Sequence, residues 1–116
     1  MKHGNSIRTF GRVSRQRTAL MRGLAVSLIE RGKIKTTSAK AKELRPFIER
    51  LVTHAKSESV TSKRLIASRL GEPKNEILVA LTDIAKKNKE RAGGYTRVIK
   101  MGRTTAGRDE AMIEFV

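Results

Sequence analysis

Apolar residues recur at helical spacing in the first third of the chain. Leu20, Leu24 and Leu28 stand four positions apart, and each is followed directly by a second apolar residue. Residues three and four positions apart lie on one face of a helix, so the pattern predicts an amphipathic helix from residue 14 to about residue 31. The serine at its start is a favourable N-cap, and the glycine after its end can adopt the left-handed conformation that often terminates a helix.

A second apolar stripe predicts a longer helix over residues 38 to about 56, with Ser38 as its N-cap. The members of this stripe recur three, four and seven positions apart: Ala41, Leu44, Ile48, Leu51, Val52 and Ala55. Pro46 interrupts the pattern, because a proline inside a helix removes one backbone hydrogen bond and clashes with the preceding turn. We therefore expect a kink at this proline, or a helix that starts later.

Two shorter helices are predicted in the second half of the chain. The first covers residues 60–70, is basic, and is ended by Gly71. Pro73 fits the first turn of the next helix, where a missing amide proton costs nothing. The apolar stripe of that helix consists of Ile77, Leu78, Leu81 and Ile84, and the helix is expected to run out in the charged segment 86–90.

Three segments have the composition of β-strands, namely residues 33–37, 95–101 and 111–116. The last two are separated by a glycine-containing loop and are predicted to form a hairpin. A sheet of this size is stable only with helices packed on one face. The predicted fold is therefore α/β of the α+β type, with helices packed on a small three-stranded mixed sheet.

Charge divides the chain into two parts. There are 26 Lys and Arg residues against 11 Asp and Glu, a net charge of +15. Positions 1–50 hold 13 basic and 3 acidic residues and positions 51–116 hold 13 and 8, which gives +10 and +5.

A length of 116 residues suits one domain. We expect that domain at residues 14–116, preceded by a basic extended N-terminal arm at residues 1–13, whose composition cannot bury enough apolar area to fold alone.

This excess of cations points to nucleic acid as the partner, because a polyanion would cancel their mutual repulsion and release its own counterions. An anionic membrane fits less well, since membrane-surface helices favour a strong apolar face with Trp or Phe at its edge, and Trp is absent. The longest apolar run has five residues, at 77–81, against roughly 20 needed to span a bilayer. The N-terminal charges also lack the apolar stripe of a transit peptide. We expect a soluble chain, and the absence of cysteine is compatible with the reducing cytoplasm.

No arrangement of residues typical of catalysis or metal binding is found. Cysteine is absent, which excludes disulfides and thiolate zinc sites, and His3 and His54 lack partners at ligand spacing. Residues 102–107 have the glycine spacing of a phosphate-binding loop but lack the Lys and the Ser or Thr that must follow. We interpret them as a hairpin loop that presents Arg103 and Arg108 outward. The prediction is no enzyme, no cofactor and no metal.

The small number of aromatic residues limits the possible modes of nucleic-acid binding. Proteins that read single strands stack bases on aromatic side chains, and this chain has one Tyr and three Phe. Phe47 and Phe115 are expected in the core, which leaves Phe10 and Tyr95 for stacking. Binding of folded RNA or duplex through phosphates and shape is therefore favoured. A nucleoid or architectural DNA-binding protein would have a similar composition, and a nucleotide-dependent enzyme using the 102–107 loop is a third alternative.

Several short segments, taken in their order and spacing, resemble a known family. They are residues 1–4 (MKHG), 10–12 (FGR), 27–29 (SLI), 34–37 (IKTT), 40–45 (KAKELR), 93–97 (GGYTR) and 113–116 (IEFV). In these segments the chain resembles the family of bacterial large-subunit ribosomal protein seventeen. The resemblance implies a structural constituent of the large ribosomal subunit that binds and neutralises folded ribosomal RNA near the peptide tunnel exit. It implies a part in translation and subunit assembly, with neighbouring large-subunit ribosomal proteins as further partners and no catalysis.

The resemblance also implies which residues contact the RNA. They belong to the arm, to the first helix and to the turn after the first strand. Others belong to the glycine turn, which contains Gly93 and Gly94 and precedes the second strand. These residues are Lys2, His3, Arg8, Arg12, Arg15, Arg17, Arg22, Thr36, Thr37, Lys40, Lys42, Tyr95 and Arg97.

Overall fold

A computed structural model describes residues 14–116 of the chain. These residues form, in order, α1 (Ser14–Arg31), β1 (Lys33–Thr37), α2 (Ser38–Lys56), α3 (Val60–Leu70), α4 (Asn75–Lys87), β2 (Thr96–Arg103) and β3 (Asp109–Phe115). The α+β fold class predicted from the sequence is confirmed. The predicted arm at residues 1–13 lies outside the described residues.

The three strands form one sheet in the order β1-β3-β2. Both pairings are antiparallel, and Ile113 of the central strand lies opposite Ile34 on one side and Val98 on the other. The prediction of a mixed sheet is wrong on this point. β1 and β2 do run in the same direction, but β3 lies between them, so no parallel pair arises within residues 14–116. β2 and β3 form the predicted hairpin.

The second helix, α2, is the centre of the core. Its buried residues are those of the predicted apolar stripe: Ala41, Leu44, Ile48, Leu51, Val52 and Ala55. The helix contacts all three strands and the other three described helices. Apolar area removed from water is the main source of stability, so this helix holds the sheet and the remaining helices together.

Pro46 lies within α2, which runs from Ser38 to Lys56 without interruption, so the expectation of a later start is wrong. The proline has no amide proton to donate to the carbonyl of Lys42, one turn back. Both residues are exposed, so the carbonyl that lacks the proline as a donor belongs to the outer side of the helix. The N-cap is Thr37 rather than the predicted Ser38, since the Thr37 hydroxyl accepts a hydrogen bond from the Lys40 amide at 3.3 Å.

The ends of the shorter helices follow the sequence with one exception. α3 ends at Gly71, as predicted, and this glycine has a left-handed φ of +76°. α4 begins at Asn75, so Pro73 precedes the helix and does not occupy its first turn. None of the helices in residues 14–116 is both long and apolar enough to cross a membrane.

Replacement of Ile48 by Ala is expected to destabilise the domain by about 2 to 5 kcal/mol, because it leaves a cavity that the neighbouring elements can fill only in part. Ile48 is 0% exposed and lies on the face of α2 that packs in the core. Urea unfolding followed by circular dichroism measures the change. Arg50→Ala, at an exposed position of the same helix, should alter the free energy of unfolding by no more than about 0.5 kcal/mol. Equal losses in both variants would contradict this account of the core.

Candidate nucleic-acid interface

The N-terminal half of α1 is poorly covered by the rest of the domain. The buried residues of this helix are Ala25, Leu28 and Ile29, all in its C-terminal half. Between residues 14 and 24 no side chain is buried, and Arg15 is exposed while Arg17 is half-buried. The half of α1 that continues from the predicted arm is therefore open to a partner.

This stretch contains cations and no acid. The first acidic residue of the whole chain is Glu30, so the segment 1–29 contains no acid. Its cations are Lys2, Arg8, Arg12, Arg15, Arg17 and Arg22. The N-terminus of a helix carries partial positive charge and is stabilised by acidic side chains. α1 has no acid in its first turn and has Arg15 and Arg17 there instead. Positive side chains at this end of a helix oppose its dipole, an arrangement that suits the binding of an external anion.

Arg22, a predicted RNA contact, is engaged within the protein. Its guanidinium donates hydrogen bonds from Nε to the carbonyl of Arg69 at 3.1 Å and from Nη2 to the carbonyl of Ser68 at 3.2 Å. Both acceptors lie in the last turn of α3, where helix carbonyls have no partner within the helix and a cation is favourable. Arg22 therefore joins the open half of α1 to the end of α3.

The turn between β1 and α2 brings together four of the predicted residues, in different environments. Thr36 is buried, at 8% exposure, and points to the core side of the sheet. Thr37 caps α2 through its hydroxyl, as described above. Lys40 is half-buried and Lys42 is exposed, and the first turn of α2 contains no acid. The cations Lys40 and Lys42, together with the positive end of α2, thus form a second basic surface.

Tyr95 is a core residue, so the expectation that its ring is available for base stacking is wrong. The side chain is 2% exposed. Its hydroxyl accepts a hydrogen bond from Lys56 Nζ at 3.1 Å, and the same ammonium lies 5.0 Å from the centre of the ring. Hydrogen bonds with the side chains of Thr53 and Lys56 lower the pKa of Tyr95 below its usual value.

Two residues of α2 hold the segment that contains the glycine turn. Lys56 Nζ also donates to the carbonyl of Arg91 at 2.6 Å. One carboxylate oxygen of Glu49 accepts hydrogen bonds from the Thr96 amide at 3.3 Å and from the Thr96 hydroxyl at 2.8 Å. Sequence reasoning missed both, because Glu49 and Lys56 have the ordinary appearance of charged residues on a helix, and their partners lie far away along the chain.

Several cations on the sheet are paired with acids of β3. Arg97 Nε lies 2.8 Å from Glu114, and Lys35 Nζ lies 3.5 Å from Glu110. Both acids belong to β3, which lies between the other two strands. Exposed ion pairs add little stability, but each cancels a positive charge locally. The predicted contact Arg97 therefore lies in a surface that is less attractive to phosphate than α1.

The hairpin loop presents two arginines outward, as predicted. Arg103 and Arg108 have side-chain exposures of 74% and 60%, and they pair with Asp109 and Glu110. A strand follows the loop, whereas a phosphate-binding loop needs a helix whose N-terminus faces the anion. The structure gives this loop no feature of a nucleotide site, and in residues 14–116 no group of three His, Asp or Glu side chains could hold a metal ion.

Comparison with known proteins identifies the family. The family model described as ribosomal protein L17 matches residues 20–116. Among curated proteins, the chain is 47% identical to the large ribosomal subunit protein bL17 of Persephonella marina, with 100% of this chain and 95% of the relative covered. It is 48% identical to the bL17 of a Sulfurihydrogenibium species (100% and 97% covered) and 43% identical to that of Campylobacter jejuni (100% and 99% covered). The chain therefore belongs to the ribosomal protein L17 family.

Proposed function

We propose that this chain is a structural constituent of the large ribosomal subunit and that it binds and neutralises folded ribosomal RNA. Phosphates would lie against an arm at residues 1–13 and against the open half of α1, residues 14–24, which is the less buried half of that helix in a single domain at residues 14–116. The observation that carries the proposal is the separation of charge: no acid occurs before Glu30, whereas Lys35 and Arg97 of the sheet are paired with acids of β3. A protein that needed only solubility would have no reason to separate its charges in this way.

Relatives of this chain support the assignment. Each of those named above is called a large ribosomal subunit protein. The family is one of ribosomal proteins, which agrees with the prediction that the chain is not an enzyme. The working place of the chain is accordingly the ribosome in the cytoplasm, with large-subunit RNA and neighbouring large-subunit proteins as its partners.

The proposed RNA contacts are the predicted Lys and Arg residues of the arm, of the open half of α1 and of the first turns of α2, with the exception of Arg22. His3 joins them as a part of the arm. They are Lys2, His3, Arg8, Arg12, Arg15, Arg17, Lys40 and Lys42. Thr36, Thr37, Tyr95 and Arg97 would act by shaping the surface next to them, and Arg22 is treated below.

A position near the exit of the peptide tunnel, and a part in subunit assembly, belong to the proposal on the strength of the family resemblance.

A photoreactive group placed at Arg15 should cross-link to large-subunit RNA within assembled ribosomes. The same group placed at Lys63, an exposed residue of α3, serves as the comparison. Equal yields at both positions would argue against α1 as the contact.

Sedimentation of cell extract on a density gradient tests the function as a whole. The tagged protein should travel with the large subunit and move to the top of the gradient when the subunits are stripped with concentrated salt, because its contacts are mainly ionic. Sedimentation with chromosomal DNA, or competition by random duplex DNA as strong as that by ribosomal RNA, would favour a nucleoid protein instead. Exclusive recovery at the top of the gradient in low salt would refute a ribosomal role.

A further inference from the structure

Arg22 lies at the boundary between the open and the packed halves of α1. It is half-buried, and the buried residues of the helix begin three positions later, at Ala25. Its two hydrogen bonds reach successive carbonyls of one helix end, those of Ser68 and Arg69. The guanidinium is planar and rigid, so two of its N–H groups bound to two fixed acceptors set the orientation of the Arg22 side chain relative to α3.

The end of α3 is shaped to receive this side chain. Gly71, which terminates the helix, has a φ of +76°, and a Cβ atom built on it would lie 3.2 Å from Cδ of Arg22 and 3.4 Å from its Nε. Gly71 thus provides the backbone conformation that ends the helix, and its lack of a side chain leaves room for the close approach of Arg22. Other left-handed glycines such as Gly32 and Gly107 have nothing within 4 Å of such an atom, so the close approach is specific to Gly71.

We infer that Arg22 is a positioning residue for the RNA-binding surface and not itself a phosphate contact. It fixes the direction in which the open half of α1, with Arg15 and Arg17, leaves the domain. This inference rests on the proposed function, since it concerns how the same surface is presented. Holding the cations of α1 in one orientation before RNA arrives removes an ordering cost that binding would otherwise have to meet.

A charge-conserving substitution separates positioning from contact. Lys keeps the positive charge of Arg22 but offers a single ammonium in place of a planar fork. If Arg22 positions α1, Arg22→Lys and Arg22→Ala should both weaken binding to in-vitro transcribed large-subunit ribosomal RNA, by about tenfold. The slope of log K against log salt should stay unchanged in both variants, because no phosphate contact is removed. If Arg22 is a contact, Arg22→Lys should bind like the wild type, and Arg22→Ala should lower the slope by about 0.7 to 0.9.

Gly71→Ala supplies an independent variant that changes no charge. The added methyl group would require the Arg22 side chain to shift by a few tenths of an ångström and so disturb its two hydrogen bonds. RNA affinity should therefore fall in the same direction as in Arg22→Lys. Gly107→Ala is the matched control, because its φ of +84° imposes similar backbone strain in open space. An equal loss of affinity in the two glycine variants would overturn the inference.

Hydrogen exchange on the free protein keeps this test separate from the proposed function. Release of Arg22 from α3 should speed the exchange of amides at residues 18–24 in Arg22→Lys and Gly71→Ala, and leave those of α2 unchanged. Unaltered exchange in both variants would overturn the positioning role whether or not RNA binds. If exchange responds as expected but the wild-type protein shows no salt-dependent RNA binding, the proposed function fails and the link between α1 and α3 stands.

Discussion

Deletion of residues 1–12 is expected to lower the affinity for large-subunit ribosomal RNA by about a hundredfold, on the proposal that Lys2, Arg8 and Arg12 each neutralise one phosphate. At about 0.15 M salt, release of counterions from three phosphates contributes roughly this factor. The slope of log K against log salt should fall by about 2 to 3 at the same time. Filter binding or fluorescence anisotropy over a salt series measures both quantities.

The domain itself should survive this deletion. All four helices of the described residues and the whole of the sheet lie at residues 14–116, so the helical circular dichroism and the melting temperature should stay close to those of the full chain. Replacement of Lys2, Arg8 and Arg12 by Gln keeps the length and removes only the charges, and it should reproduce most of the loss. Retained affinity in both variants would refute the role of the arm. A loss in the deletion alone would assign the effect to something other than charge.

The sequence predicted the helices and the core well, because the apolar periodicity is strong where the helices pack. The six buried residues of α2 are those of the predicted stripe, and the ends of α3 follow from its composition. Pro46 misled the prediction, since the rule against interior prolines assumes that the helix needs every hydrogen bond. At an exposed position, the stabilisation from the buried face exceeds the cost of one missing bond.

The arrangement of strands was harder to predict. Each strand was recognised from its own residues, but neighbours in a sheet are decided by packing between distant parts of the chain. The hairpin of β2 and β3 followed from a short connection. The pairing of β1 with β3 joins residues 33–37 to residues 110–114, and no local pattern indicates it.

The candidate site was also predictable only in part. The charge asymmetry of residues 1–29 is visible in the sequence alone. The role of each cation cannot be read from the sequence. The acceptors of Arg22 lie 46 and 47 positions away, and the carboxylate beside Arg97 lies 17 positions away. Tyr95 remained a candidate for base stacking in the sequence because Phe47 and Phe115 were expected in the core. Its contacts with α2 bury it instead.

Raising the salt concentration should weaken RNA binding by more than any single substitution. With about eight phosphate contacts, the affinity is expected to fall roughly 10³- to 10⁵-fold between about 50 and 200 mM salt. The number follows from the proposed contacts, of which seven are Lys or Arg. A binding mode based on stacking or apolar contact would give a shallower slope, because fewer counterions are released.

Paired substitutions locate the origin of this slope on the surface of the protein. Arg15→Gln with Arg17→Gln removes two cations from the open half of α1 and should lower the slope by about 1.4 to 1.8. Lys86→Gln with Lys87→Gln removes two exposed cations from the end of α4 and should leave the slope unchanged. These two variants have the same net charge, so a difference between them cannot come from the overall field of the protein. A flat salt response of the wild type, or equal slopes in the two variants, would contradict the assignment of phosphate binding to α1.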